Sequence, residues 1–316
     1  MQEDLKEVRD NIAEVIIGKN DVIELLLIAL LARGHVLFDD VPGVGKTRMA
    51  ASLARSLGVD FSRVQFTPDL QPADVTGLYY YNQKLNEFEL RLGPVHTNIL
   101  LADEINRAVP RTQASLMEVM EERQVTIEGE THELQEPFLV VATQNPVEME
   151  GTFPLPEAQL DRFLFRLEVG YPAEDEEQSI LRSYRQEDPF FQLEEVMSRE
   201  NIVGLQEEAD DVKVNEPVVE YITKLARTTR EHDRVRLGLS PRATLALMRA
   251  ARARALLYSR SYVLPDDVQT VFPRVASHRL LLKEEASIHG LEAEDVIESV
   301  LDGVDVPVEG AGEGEI

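Results

Sequence analysis

The stretch Asp39-Asp40-Val41-Pro42-Gly43-Val44-Gly45-Lys46-Thr47 lies between an apolar run of strand length, His35–Asp39, and a stretch with helical spacing, Lys46–Leu57. A glycine-rich turn in that setting can wrap phosphate oxygens. Gly43 and Gly45 let backbone N–H groups curve round an anion with no Cβ in the way. The helix starting at Lys46 points its positive dipole end at the same spot. Lys46 can reach the β- and γ-phosphates of a nucleotide, and the Thr47 hydroxyl can bind Mg²⁺. Gly43, Val44, Gly45, Lys46, Thr47 and Arg48 are therefore the candidate phosphate-binding residues. The general pattern places glycine where this chain has Asp40. The expectation is that Asp40 lies at the outer edge of the loop and needs no positive φ.

Two carboxylates end the apolar run Asn98–Asp103, at Asp103 and Glu104. Strand ends beside a phosphate loop face the crevice of an open α/β sheet. There Asp103 can hold Mg²⁺ through its water shell while Glu104 polarises an attacking water. The competing reading is an Asp-Glu pair capping the next helix. Asn145, in Ala142-Thr143-Gln144-Asn145-Pro146, can orient that water, or it is simply a turn asparagine before proline. Arg162 stands between a short helix and a strand, where it can stabilise charge in phosphoryl transfer or pair with Asp161 or Glu157. Ser240-Pro241 suits a helix start and places Arg242 in its first turn, within reach of a γ-phosphate.

The elements that must position these residues can be read from periodicity. Met1–Ala32 reads as two helices. Leu5, Val8, Ile12 and Val15 line one face of the first, which ends at Ile16-Ile17-Gly18, and Asn20 or Asp21 can cap the second. His35–Asp39, Val64–Phe66, Asn98–Asp103, Phe138–Ala142 and Phe163–Leu167 read as strands alternating with helices. That order predicts a parallel sheet covered on both faces. Two hairpins interrupt it, Leu78–Tyr81 with Glu87–Leu92 and Gln124–Ile127 with Thr131–Leu134. From Asp175 to Asp302 the pattern is helical with no convincing strand. The expected organisation is an α/β P-loop core over residues 1–172, an all-helical second domain over 173–302 and a disordered acidic tail over 303–316.

The chain has 316 residues, 43% of them hydrophobic, and no cysteine, so it forms a globular fold without disulfides or thiolate metal sites. Its longest apolar run, Val22–Ala32, is broken by Glu24 and is too short to span a bilayer. The start, Met1–Asp10, lacks the apolar segment of a signal peptide, so a cytoplasmic location is expected. Acidic residues outnumber basic ones 58 to 32, giving a net charge of −26. Such a field repels nucleic acid and anionic membranes on average. It fits either a surface kept hydrated in high salt or simply an acidic protein.

Taken together, Asp40–Thr47, Leu101–Ala108, Ala142–Pro146 and Gly151–Phe163 (GTFPLPEAQLDRF) resemble the MoxR family of AAA+ ATPases over nearly the whole chain. An acidic residue at the Asp40 position is familiar in that family. The resemblance implies an αβα ATPase core, a helical lid and a ring, usually a hexamer, using ATP and Mg²⁺. It implies that Arg162 acts on a neighbour's ATP, that Asn145 is sensor 1 and Arg242 sensor 2, and that Ile17 and Gly18 contact adenine. The Leu78–Leu92 hairpin is similar to the helix-2 insert and Gln124–Leu134 to the pre-sensor hairpin. Both would face the pore, where Tyr79, Tyr80 and Tyr81 meet a client or, for at least one of them, pack within the hairpin. Family members act as chaperones that assemble or activate other proteins, often with a partner carrying a von Willebrand A domain. The rival readings are a magnesium-chelatase-like motor for metal insertion, a DNA-dependent motor, and a nucleotide-dependent scaffold with little turnover.

Overall fold

The computed structural model describes residues 2–146, 151–185 and 187–307. In chain order the first elements are α1 (Glu3–Ala13), α2 (Asn20–Leu31), β1 (Val36–Asp39), α3 (Lys46–Ser56), β2 (Phe61–Gln65), α4 (Pro72–Thr76), β3 (Gly77–Asn82), β4 (Glu87–Leu92) and β5 (Ile99–Asp103). They continue with α5 (Pro110–Glu122), β6 (Gln124–Ile127), β7 (Glu130–Glu133), β8 (Leu139–Gln144), α6 (Glu157–Leu160), β9 (Phe165–Leu167), α7 (Glu174–Ser183) and α8 (Arg199–Asp211). The remainder is α9 (Glu216–Glu231), β10 (Val235–Leu237), α10 (Pro241–Leu257), α11 (Pro265–Ala276), β11 (Leu281–Leu282), α12 (Glu284–Ile288) and α13 (Ala293–Gly303).

Five strands form one sheet in the order β2-β5-β8-β1-β9, every neighbouring pair parallel. The central strands are apolar throughout because both of their faces are covered. Leu37, Leu100, Ala102, Val140 and Ala142 pack with Leu116, Met117 and Met120 of α5 and with Phe163 in one buried cluster. Leu5, Val8 and Ile12 of α1 are buried at the predicted helical spacing. The helix ends at Ala13, earlier than Ile16–Gly18, and Lys19 rather than Asn20 or Asp21 stands at the N-cap of α2. β2 is an edge strand. It begins at Phe61, and its Arg63 and Gln65 are exposed on either side of buried Val64, so it lacks the continuous apolar run of its neighbours.

Both predicted hairpins form, β3 with β4 and β6 with β7. The Tyr79 hydroxyl donates to Glu130 of the second hairpin at 2.7 Å, and Tyr79 packs against the buried cluster. Within the first hairpin the Tyr80 hydroxyl donates to Glu89 and the Tyr81 hydroxyl to Asn86, each at 2.5 Å, and the Tyr81 ring lies 5.4 Å from that of Phe88. Tyr80 and Tyr81 are exposed, as are Leu85 and Phe88 near the turn.

The chain divides into two compact units between Ala209 and Asp210, well past the expected boundary at 172 and 173. The reason lies in residues 188–206, which are bound into the first unit. Arg55 donates to the carbonyls of Leu193 and Phe191, and the N–H groups of Val196 and Met197 donate to the Ser56 carbonyl. Gln206 donates to the Leu30 carbonyl at 2.6 Å.

The second unit is helical but, against the all-helical expectation, also carries an antiparallel ribbon of β10 and β11. Each of these strands is only two or three residues long, too short to leave an alternating pattern in the sequence. The expected tail lies outside the described residues from 308 onward, while α13 runs to Gly303. Among the described residues no helix is long and apolar enough to cross a membrane.

One ion cluster holds the base of α11. Fully buried Asp267 accepts from Arg254 at 2.5 Å, from Arg260 at 2.5 and 2.6 Å, and from the Leu264 N–H at 2.8 Å. Removing the carboxylate leaves two guanidinium groups without their common partner. Asp267→Ala is therefore expected to cost about 3–5 kcal/mol. Denaturant melts of the variant against the parent chain measure it. A loss under about 1 kcal/mol would mean that water takes over the carboxylate's role.

Candidate nucleotide-binding and hydrolysis site

The parallel register brings the carboxyl ends of the strands level: Gln65 pairs with Asp103, and Asp39 with Gln144. At these ends the chain opens on one cleft of about 370 Å³. It is lined by Pro42, Gly43, Gly45, Lys46, Thr47 and Arg48 of the loop and α3, by Arg63 and Gln65 of β2, by Asp103 and Glu104, and by Thr143, Gln144 and Asn145. Distant stretches of the sequence thus converge at the place where an open α/β sheet binds ligands.

Gly43 and Gly45 adopt φ of 89° and 94°, the left-handed region that glycine enters without steric cost. No atom lies within 4 Å of where a Cβ on Gly43 would stand, so the turn is open for an anion to approach. Gly45 is the N-cap of α3, so the helix's free N–H groups point at the same space. The Lys46 ammonium donates to the carbonyls of Asp40 at 2.6 Å and Val41 at 3.2 Å. Burial pushes it below the usual lysine range, against the pull of the carboxylates of Asp40, Asp103, Asp39 and Glu104.

Asp40 is not at the loop's outer edge. It is buried, and its carboxylate accepts the N–H groups of Val41, Val169 and Gly170, each at 2.7 Å. It needs no positive φ, as expected, but it ties the start of the phosphate loop to the segment leaving β9. A glycine here, as in the general pattern, would leave those N–H groups without their acceptor.

At the end of β5, Thr143 of β8 holds the Asp103 carboxylate and the Glu104 backbone. Its hydroxyl donates to Asp103 Oδ1 at 2.7 Å and accepts the Glu104 N–H at 2.9 Å. Glu104 sits at φ 55° and ψ 50°, left-handed for a residue with a Cβ, and its carboxylate accepts from Arg107 at 3.1 Å. Arg63 reaches from the edge strand to Asp103 Oδ2, with Nη2 at 2.7 Å and Nε at 3.2 Å. Asn145 is buried and lines the cleft immediately after β8.

The remaining candidates are placed less centrally. Arg48 lines the cleft, but its guanidinium pairs with Asp188 and lies 4.9 Å from the Phe190 ring centroid. Ile17 and Gly18 are not among the lining residues. Ile16 beside them lies 3.9 Å from where a Cβ on Gly45 would stand, and the Glu176 carboxyl covers Gly18. Arg162 is also outside its own chain's cleft. It donates to the Met117 carbonyl at 2.8 Å and pairs with Glu121 at 3.5 Å, both on α5, rather than with Asp161 or Glu157. Arg242 stands in the first turn of α10 in the second unit, where Ser240 caps the helix by accepting from the Ala243 N–H at 3.1 Å.

Three residues gain a place in the site only from the structure: Thr143, Arg63, and Asp40 as a tether. The signal available in the sequence is a hydroxyl at the mouth of an apolar strand, for Thr143; Arg63 and the tether of Asp40 leave none.

The chemistry of the donors fits a nucleotide with a hard cation. Thr47 and Asp103 offer a hydroxyl and a carboxylate on one cleft, the kind of partial set that Mg²⁺ completes with phosphate oxygens and water. Among the described residues no cluster of three or more acidic or histidine side chains is arranged to hold a metal by itself.

Comparison with known proteins agrees with this geometry. Residues 35–165 match the model of the ATPase family associated with various cellular activities (AAA), and residues 227–300 match that of an AAA lid domain. The chain is 52% identical to the uncharacterized protein YeaC of Bacillus subtilis (strain 168) over 300 residues, 95% of this chain and 94% of that protein. It is 45% identical to Chaperone MoxR1 of Mycobacterium tuberculosis (strain ATCC 25618 / H37Rv) over 305 residues, covering 94% of this chain and 80% of the relative. A crystal structure of a putative ATPase from Cytophaga hutchinsonii ATCC 33406 superposes with a TM-score of 0.90 at 38% identity, covering 96% of this chain and 95% of that one. A glycine-turned phosphate loop, a carboxylate pair at a nearby strand end and relatives that align over nearly the whole chain lead to one assignment: this chain belongs to the MoxR family of AAA+ ATPases and is an ATP hydrolase.

Proposed function

We propose that this ATPase works as a chaperone-like motor, coupling ATP hydrolysis to the remodelling, assembly or activation of a client protein. The observation that supports it most is the convergence of Lys46, Thr47, Asp103, Glu104 and Asn145 on one cleft in a chain whose relative over 94% of its length is named a chaperone. In this reading Gly43 to Arg48 hold the phosphates, Lys46 balances the β- and γ-charges, and Ile17 and Gly18 flank the adenine. Thr47 and Asp103 would hold Mg²⁺, which would supply positive charge to offset that of the phosphates. Glu104 accepts a proton from the attacking water while Asn145 fixes that water's orientation. Arg162 completes the site of a neighbouring subunit in a hexameric ring, as a finger supplied in trans, and Arg242 senses the γ-phosphate from the lid.

The exposed aromatic hairpin β3–β4 supplies a client-facing surface through Tyr80, Tyr81 and Phe88. A von Willebrand A domain protein is the proposed partner that presents the client. The net charge of −26 favours a protein client over nucleic acid. The proposed location is the cytoplasm.

The test is capture of the client. A tagged Glu104→Gln variant loaded with ATP should retain a specific protein that wild-type releases on turnover and that Lys46→Ala does not bind. Recovery of the same proteins by Glu104→Gln and Lys46→Ala alike would show retention independent of nucleotide and sink the motor reading. Stimulation of ATP turnover by DNA would instead favour a DNA-dependent motor.

A further inference from the structure

Asp103 is already engaged at both oxygens. Thr143 donates to one, and Arg63 places two donors on the other, Nη2 at 2.7 Å and Nε at 3.2 Å. The same guanidinium donates to Gln65 Oε1 at 3.3 Å, so it has a second acceptor on its own strand. Arg63 is half exposed on the edge strand and lines the nucleotide cleft, so its side chain has room to swing away. A guanidinium and a divalent cation compete for the same carboxylate lone pairs, because each needs the oxygen's outward-facing electrons.

We propose that Arg63 is a positioning residue that acts as a resident counter-cation of the metal site, holding Asp103 neutralised until Mg²⁺ arrives with the nucleotide phosphates and displaces it. The proposal rests on Asp103 being the metal-side carboxylate. The displaced guanidinium retains Gln65 as a partner, so the exchange does not strand a charge. Lys46 waits in a parallel way on the carbonyls of Asp40 and Val41. Arg63 and Lys46 are thus both parked on protein oxygens. Metal and phosphate must enter together to displace them, and in so acidic a chain this keeps stray cations from occupying the carboxylate alone.

The experiment measures binding, not turnover. A fluorescent ADP analogue is held at a sub-saturating concentration while Mg²⁺ is titrated, and the Mg²⁺ midpoint for nucleotide binding is read for each variant. Arg63→Ala should lower the midpoint by about two- to fivefold, the strength of a partly exposed ion pair in which two donors share one carboxylate oxygen. Arg63→Lys keeps the charge but loses the fork, and should fall between Arg63→Ala and wild type. An Arg63→Ala midpoint equal to or above wild type overturns the proposal. If Arg63→Ala does not fold, Arg63→Lys decides: a lowered midpoint supports competition, and an unchanged or raised one overturns it. Asp103→Asn separates the two readings. It should raise the midpoint in either background, and if it leaves the midpoint where wild type stands, the assignment of Asp103 to the metal is what has failed.

Discussion

Arg162→Ala is expected to reduce ATP turnover by about 10³–10⁵-fold while leaving nucleotide affinity within a few-fold of wild type. The physical reason is its location. Within its own chain Arg162 is held on α5, by the Met117 carbonyl and Glu121, and does not line its own cleft. In the proposed ring it would act from that position on the site of a second subunit. The decisive measurement mixes Arg162→Ala subunits with Lys46→Ala subunits. If the chain forms the proposed ring, each variant alone would have a defect at every seam, but a mixed ring would contain seams that combine an intact Lys46 with an intact Arg162. Phosphate release should therefore recover on mixing, and absence of recovery across mixing ratios would refute action in trans. The fold should tolerate the change, since an ion pair of this exposure is worth about 0–1 kcal/mol.

For Glu104→Gln the expected loss in turnover is about 10²–10⁴-fold, the usual contribution of a general base. The amide keeps the shape and can still meet Arg107, but it cannot accept the water's proton. Because Glu104 meets Thr143 through its backbone N–H, the substitution leaves Asp103 and Thr143 in place. ATP should accordingly bind as before and remain unhydrolysed. Single-turnover measurement of bound ATP against time checks this, and wild-type rates in the variant would falsify the role assigned to Glu104.

The core of the fold is legible in the sequence because central parallel strands are buried on both faces and read as unbroken apolar runs. β1, β5 and β8 stand out in that way, with ends shifted by one or two residues, whereas β9, at the other edge of the sheet, shows only as Phe163–Phe165 ahead of exposed Arg166. β2 shows where such a signal runs out. At the sheet edge only Val64 is buried, so the stretch Phe61–Arg63 carries no run to detect, and the part played by Arg63 is hidden with it. Asp40 is hard to place for a different reason. Its partners, the N–H groups of Val169 and Gly170, lie about 130 residues away in sequence, and backbone donors have no residue signature. The same holds for residues 188–206, whose bonds into the first unit run largely through carbonyls and N–H groups. Lys46, Thr47, Asp103, Glu104 and Asn145 are legible because their chemistry resides in side chains at fixed distances from strand ends.

The backbone at Glu104 carries one further consequence. A side chain at φ 55° and ψ 50° costs roughly 1–2 kcal/mol that glycine would not incur. The position is thus one where selection for a durable fold and selection for turnover pull in opposite directions. Under the proposed role of Glu104, a glycine should make the resting chain more robust and leave it inert. If Glu104 handles the attacking water as proposed, the chain accepts a slightly less stable ground state for the sake of turnover.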